Sequence, residues 1–103
     1  MATKLSLPLK LEGYVVEVLL RDLVGHDRSP ASFLVYLSLY ALTYAAGRRS
    51  AQLSLKKVAE RTGLSKSAVQ AALRILSRRQ LIRTHKATRT SVPEYFVLRP
   101  WSR

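Results

Sequence analysis

Residues 53–82 read LSLKKVAERTGLSKSAVQAALRILSRRQLI, and this stretch decides the fold. Ser54 can accept a hydrogen bond from the first free N–H groups of a helix, so it predicts a short helix over residues 55–62. Gly63 then ends that helix, because glycine enters the left-handed conformation without a Cβ penalty. Ser65 is a second cap and predicts a second helix over residues 66–79. Within it, Val69, Ala72, Leu73 and Leu76 recur at i, i+3, i+4 and i+7, which turns one apolar face toward a core. The opposite face carries Lys66, Ser67, Gln70, Ala71, Arg74 and Arg78. Nearly every side chain on that face donates a hydrogen bond, and none is acidic. Ala59 is small enough to let the second helix approach the first, and Leu64 follows the turn as an apolar plug.

Toward the C-terminus, residues 81–88 (LIRTHKAT) and 94–99 (EYFVLR) read as two strands, joined by the basic, turn-forming residues 89–93. Pro93 is tolerated just ahead of a strand, since it has no N–H to give to the ladder. Toward the N-terminus, residues 51–53 predict a brief strand and residues 48–50 a basic linker. Ser29 followed by Pro30 is a cap with proline at the first helical position, and predicts a helix to about Ala46 that stops at Gly47. Its apolar side chains point several ways, so it must be buried on more than one side. Phe33, Tyr36, Tyr40 and Tyr44 form an aromatic stripe at helical spacing. The stripe is either core or a subunit interface, where tyrosine suits surfaces that are half wet. Residues 13–24 (GYVVEVLLRDLV) contain valines that favour a strand. Glu17 and Arg21 are nonetheless spaced to pair across one helical turn and the run is long for a strand, so a helix is expected.

The chain has 103 residues, short for more than one domain. With 48% apolar and 23% charged residues, its composition excludes a disordered chain. Lysine and arginine number 18 against six acids, and the excess is one-sided. Residues 1–47 balance Lys4, Lys10, Arg21 and Arg28 against Glu12, Glu17, Asp22 and Asp27. Residues 48–103 hold fourteen basic residues against Glu60 and Glu94 alone. Solubility does not require one end of a chain to carry all of the charge. The usual partner of such a patch is a polyanion, most often nucleic acid, whose phosphates release counterions when neutralised.

Two short helices about a glycine turn make the helix-turn-helix pattern. Ala59, Gly63 four residues on, Val69 six further, and the Leu81 and Ile82 that open a hairpin give the stretch a family likeness. It resembles the winged helix-turn-helix DNA-binding domains. The resemblance covers residues 29 to about 99, with the helix after Ser29 as the family's first. The order SPASFLVYLSLY, helix-turn-helix, PEYFVL is similar to bacterial transcription regulators and to phage or plasmid replication initiators. It implies a mainly α fold with a small β-hairpin wing (α+β). Residues 29–103 would form this domain, and residues 1–28 a helical extension packed on the core or on a partner subunit.

The resemblance also implies double-stranded DNA as the partner, with the helix from Ser65 in the major groove and the wing on an adjacent backbone or minor groove. Carried over, Lys66, Ser67, Gln70 and Arg74 face the DNA. Gln70 would bond adenine in bidentate fashion, and Arg74 guanine or a phosphate. Lys56, Lys57, Arg78, Arg83, Lys86 and Arg89 are candidate phosphate contacts, which orient without reading sequence. Blander roles stand beside these: Lys56 and Lys57 as solvated helix residues, Arg78 and Arg79 as cations offsetting a helix dipole, Ser65 as a cap first and a phosphate donor second. One such module buries only about 600–1,000 Å² on DNA, so a homodimer through the Phe33/Tyr36/Tyr40/Tyr44 helix and the N-terminal segment is expected. Sequence-specific transcriptional regulation is the leading reading. Replication or partition of a mobile element, and protein or RNA binding by the same fold, are the others.

No cysteine is present, which removes disulfides, thiolate metal sites and thiol nucleophiles. His26 and His85 fall in different elements with few carboxylates to join them, and no glycine-rich phosphate loop occurs. No enzyme activity, cofactor or metal is therefore expected. Residues 1–10 lack a long apolar run after a basic stretch, so no secretory signal is expected. The most apolar segment, residues 33–46, would span about 21 Å as a helix, short of the roughly 30 Å of a bilayer core. The expectation is a cytoplasmic, nucleoid-associated protein with no membrane partner. Trp101 is expected to cover an apolar edge after the last strand.

Overall fold

Helix α1 (Pro30–Leu42) begins at the predicted cap, where Ser29 Oγ accepts from the Ser32 N–H at 3.2 Å and Pro30 fills the first turn. The computed structural model describes residues 8–102. The helix ends earlier than expected. Thr43 gives both its N–H, at 3.0 Å, and its hydroxyl, at 2.7 Å, to the Leu39 carbonyl, and a 3₁₀ turn (Tyr44–Ala46) leads to Gly47 at φ 74°.

Strand β1 is only Ala51–Gln52. Helices α2 (Leu55–Thr62) and α3 (Lys66–Arg78) follow, and their caps are those the serines predict. Ser54 Oγ accepts from Lys57 N–H and Ser65 Oγ from Ala68 N–H, each at 3.1 Å, and Gly63 sits between them at φ 78°. Strands β2 (Ile82–His85) and β3 (Glu94–Val97) are shorter than the stretches that predict them. β3 lies in the middle of the sheet, antiparallel to both neighbours, in the order β1-β3-β2. Among the described residues the chain is thus a mixed α+β fold: three α-helices, shorter π and 3₁₀ turns, and one small antiparallel sheet.

The N-terminal segment is helical, but it is wound as π-helix over Val15–Leu19 and Asp22–His26. Val15, Leu19 and Leu23 lie on its inner side and join one core with Val35 and Leu39 of α1, Val58 of α2, Val69 and Leu76 of α3, and Tyr95 of β3. Glu17 and Arg21 form no pair with each other and stay exposed, where such a pair would gain little. Asp22 and Asp27 instead reach Arg79, just past α3, at 3.1 and 3.2 Å.

The aromatic stripe divides. Tyr36 and Tyr40 are fully buried within a single copy, and Tyr36 donates its hydroxyl to the Leu98 carbonyl at 3.0 Å. Tyr40 Oη accepts from the Glu12 N–H at 3.4 Å. Burial pushes both phenols above their ordinary pKa, so they remain neutral. Of the two alternatives for the stripe, these two side chains are core within one copy, in contact with Glu12 and with Leu98 after β3. Phe33 packs at the edge of the core and Tyr44 is exposed. Trp101 stacks on Tyr14 with centroids 4.5 Å apart and donates to Glu12 at 3.2 Å, closing the apolar edge assigned to it. Among the described residues, no helix is long and apolar enough to cross a membrane.

Candidate nucleic-acid interface

The packing of α3 dictates what it exposes. Val69, Ala72 and Leu76 are buried against α1 and α2, and Leu73 is half-buried. Lys66, Ser67, Gln70, Arg74 and Arg78 are exposed, with Ala71 half-buried among them. Lys66, Gln70, Arg74 and Arg78 follow one another at intervals of four, so they form one stripe about 18 Å long. Ser65 Oγ is occupied as the cap and lies 3.2 Å from Ser67 Oγ.

The end of α3 sets the course of the hairpin. Gln80 adopts φ 58°, its N–H reaches the Ser77 carbonyl at 3.0 Å, and the Leu81 N–H reaches Leu76 at 2.9 Å. These two bonds are the Schellman pattern, with Leu81 and Leu76 as its apolar pair. Arg83 then stands opposite Phe96, its guanidinium carbon 4.7 Å from the ring centroid. Lys86 and Arg89 are exposed in the loop beyond. Arg89 occupies a turn whose ends are braced. Ser91 Oγ accepts from the Thr88 N–H and donates to the Thr88 carbonyl, both at 2.9 Å. Lys56 is exposed on the first turn of α2, and its neighbour Lys57 makes a loose contact with Glu60 at 3.6 Å.

Most of the few carboxylates are used elsewhere, and Glu17 stands exposed on the N-terminal segment. Glu12 binds Arg99 at 2.8 Å as well as Trp101, and the Arg99 hydrogen bond holds its carboxyl below the ordinary value. Asp22 and Asp27 hold Arg79, Asp27 also touches His26, and Glu94 accepts from the Ser50 hydroxyl. Among the described residues, Lys56, Lys66, Arg74, Arg78, Arg83, Lys86 and Arg89 therefore have no ion pair.

Arg79 and Arg99 play structural parts, with partners 57 and 87 residues away that no local pattern announces. Within residues 48–102, three exposed arginines with no ion pair among the described residues fall outside the sequence-based set: Arg48 and Arg49, read only as linker, and Arg61 on α2. The doublet after Gly47 is the only local signal for the first two. Among the described residues, no three His, Asp or Glu side chains gather to hold a metal. No family model, characterised protein or solved structure matches the chain.

Proposed function

We propose that this protein binds double-stranded DNA as a winged helix-turn-helix and regulates transcription, with α3 in the major groove and the β2–β3 hairpin as the wing. The observation that carries the reading is the α3 stripe. Lys66, Gln70, Arg74 and Arg78 stand in solvent on a helix held from behind by its buried face, and among the described residues no carboxylate is paired with any of them. A major groove about 12 Å wide admits an α-helix, and glutamine and arginine match the edges of adenine and guanine. In this reading Gln70 and Arg74 read bases, while Lys66 and Ser67 meet the groove's edge. Lys56, Arg78, Lys86 and Arg89 orient the protein on phosphates. Arg83 adds charge from the hairpin while stacked on Phe96.

A two-copy complex belongs to the same reading, and it must use side chains a single copy leaves exposed. Val16, Leu20 and Val24 line the outer side of the N-terminal segment, next to Glu17 and Arg21, which have no ion pair among the described residues. A two-fold, antiparallel pairing of these segments brings Glu17 toward Arg21 of the partner subunit. Selection of bound duplexes from a random pool tests the whole proposal. Enrichment of a palindromic site is the expected result, and recovery of no preferred duplex overturns sequence-specific binding.

A further inference from the structure

We infer a second anion site, for a compact phosphate-bearing ligand, in the recess between the Tyr44–Ala46 turn and the end of β3. The recess measures about 410 Å³, within the size range of small-ligand sites, and Arg48, Arg49 and Arg99 share it with Tyr44, Thr43 and Ser102. Arg99 is already oriented there, 3.6 Å over the Tyr44 ring and bonded to Glu12. Arg48 and Arg49 are exposed and have no ion pair among the described residues. Glu94 lines the adjoining recess with Arg48, where its carboxylate accepts from the Ser50 hydroxyl and makes no ion pair with Arg48. Two guanidinium groups free of direct ion pairs, beside a third, suit a ligand that brings two negative charges on one group, as a phosphate ester does and a carboxylate does not.

The sheet register separates this site from the hairpin tip. Ala51 pairs with Tyr95, Gln52 with Glu94, and the Leu53 N–H reaches the Pro93 carbonyl, so β1 runs toward the tip. Residues ahead of β1, Arg48 and Arg49 among them, therefore lie at the sheet's other end beside Arg99. From residue 94 to residue 99 alone, an extended chain covers about 17 Å. A backbone lying on Arg89 is not what the recess holds, so the inference does not depend on the DNA reading. It also carries a consequence. A phosphate on Arg99 competes with Glu12, which ties the N-terminal segment to Arg99 and Trp101.

Inorganic pyrophosphate, titrated into the full chain at constant ionic strength against sodium chloride, tests the site. Amide shifts should saturate at one ligand per chain and concentrate in residues 43–49 and 97–102, and emission from the single tryptophan, Trp101, should change with them. The Arg48→Ala/Arg49→Ala chain should bind at least about tenfold more weakly with an unchanged Tm, and Glu12→Gln should bind more tightly. Shifts centred on α3 and residues 86–91, or a response that never saturates, would overturn the site. So would a loss of duplex affinity in the Arg48→Ala/Arg49→Ala chain as large as that of Arg74→Ala, which would make these arginines part of a nucleic-acid surface. A Glu12→Gln chain that binds pyrophosphate no better overturns the shared use of Arg99. Pyrophosphate binding at the recess by a chain that takes no duplex supports the site while removing the DNA reading.

Discussion

Gln70 and Arg74 sit one helical turn apart on the exposed stripe of α3, where truncation to alanine disturbs no core contact. Each change is expected to cost about 1–3 kcal/mol on the preferred duplex and to relax its sequence preference, as read by competition binding against single-base variants. A uniform loss over all duplexes would assign the residue to the backbone instead. Lys86→Ala should give that uniform loss, because a lysine on phosphate carries no base information. Gln80 shows a different residue-scale effect. It holds a left-handed conformation that glycine adopts without penalty, at the end of a helix whose Schellman bonds are already made. Gln80→Gly is therefore expected to raise stability by about 0.5–1 kcal/mol in urea unfolding, and a destabilised variant would refute the strain.

At the scale of elements, the N-terminal segment is held at both ends by arginines from the cationic half of the chain. Arg79 takes Asp22 and Asp27, and Arg99 takes Glu12. The first link is partly exposed, so Arg79→Ala should cost only about 1 kcal/mol, while hydrogen exchange across residues 13–26 rises ahead of the rest. The second link titrates. The Glu12 carboxyl is held below its ordinary value of 4.5 by Arg99, so the folded form binds its proton less readily than the unfolded form does. Its contribution is complete above about pH 4.5 and is lost as the pH falls through the lowered folded value. The Tm difference between the natural chain and Glu12→Gln should accordingly be constant near neutrality and vanish in acid. A difference that grew on acidification would reverse the assignment.

For the whole molecule, the uncompensated cations set an electrostatic expectation. If about five phosphates are neutralised per copy, log K for duplex DNA falls against log salt with a slope near −4 to −5. An affinity indifferent to salt would remove the electrostatic basis of the proposal. Mass measurement at tens of micromolar should return a dimer that Leu20→Glu separates, since that change sets a charge in the middle of the outward apolar row. A monomeric natural chain would end the two-copy arrangement.

The sequence by itself determined the features decided within a few residues. Ser29, Ser54 and Ser65 cap the next turn, Gly63 takes the left-handed turn that other residues resist, and the four-residue rhythm of α3 fixes which side faces water. It also fixed the one-sided charge. Only the tertiary structure decided which cations are free. Arg78 and Arg79 are neighbours at the end of α3, yet one is exposed with no ion pair among the described residues and the other is bound to Asp22 and Asp27. It likewise decided that Tyr36 and Tyr40 are core, that β1 pairs with β3, and that the N-terminal helix winds as π. A cap is complete once its own turn forms. An ion pair or a buried ring depends on which distant segment the folded chain brings beside it.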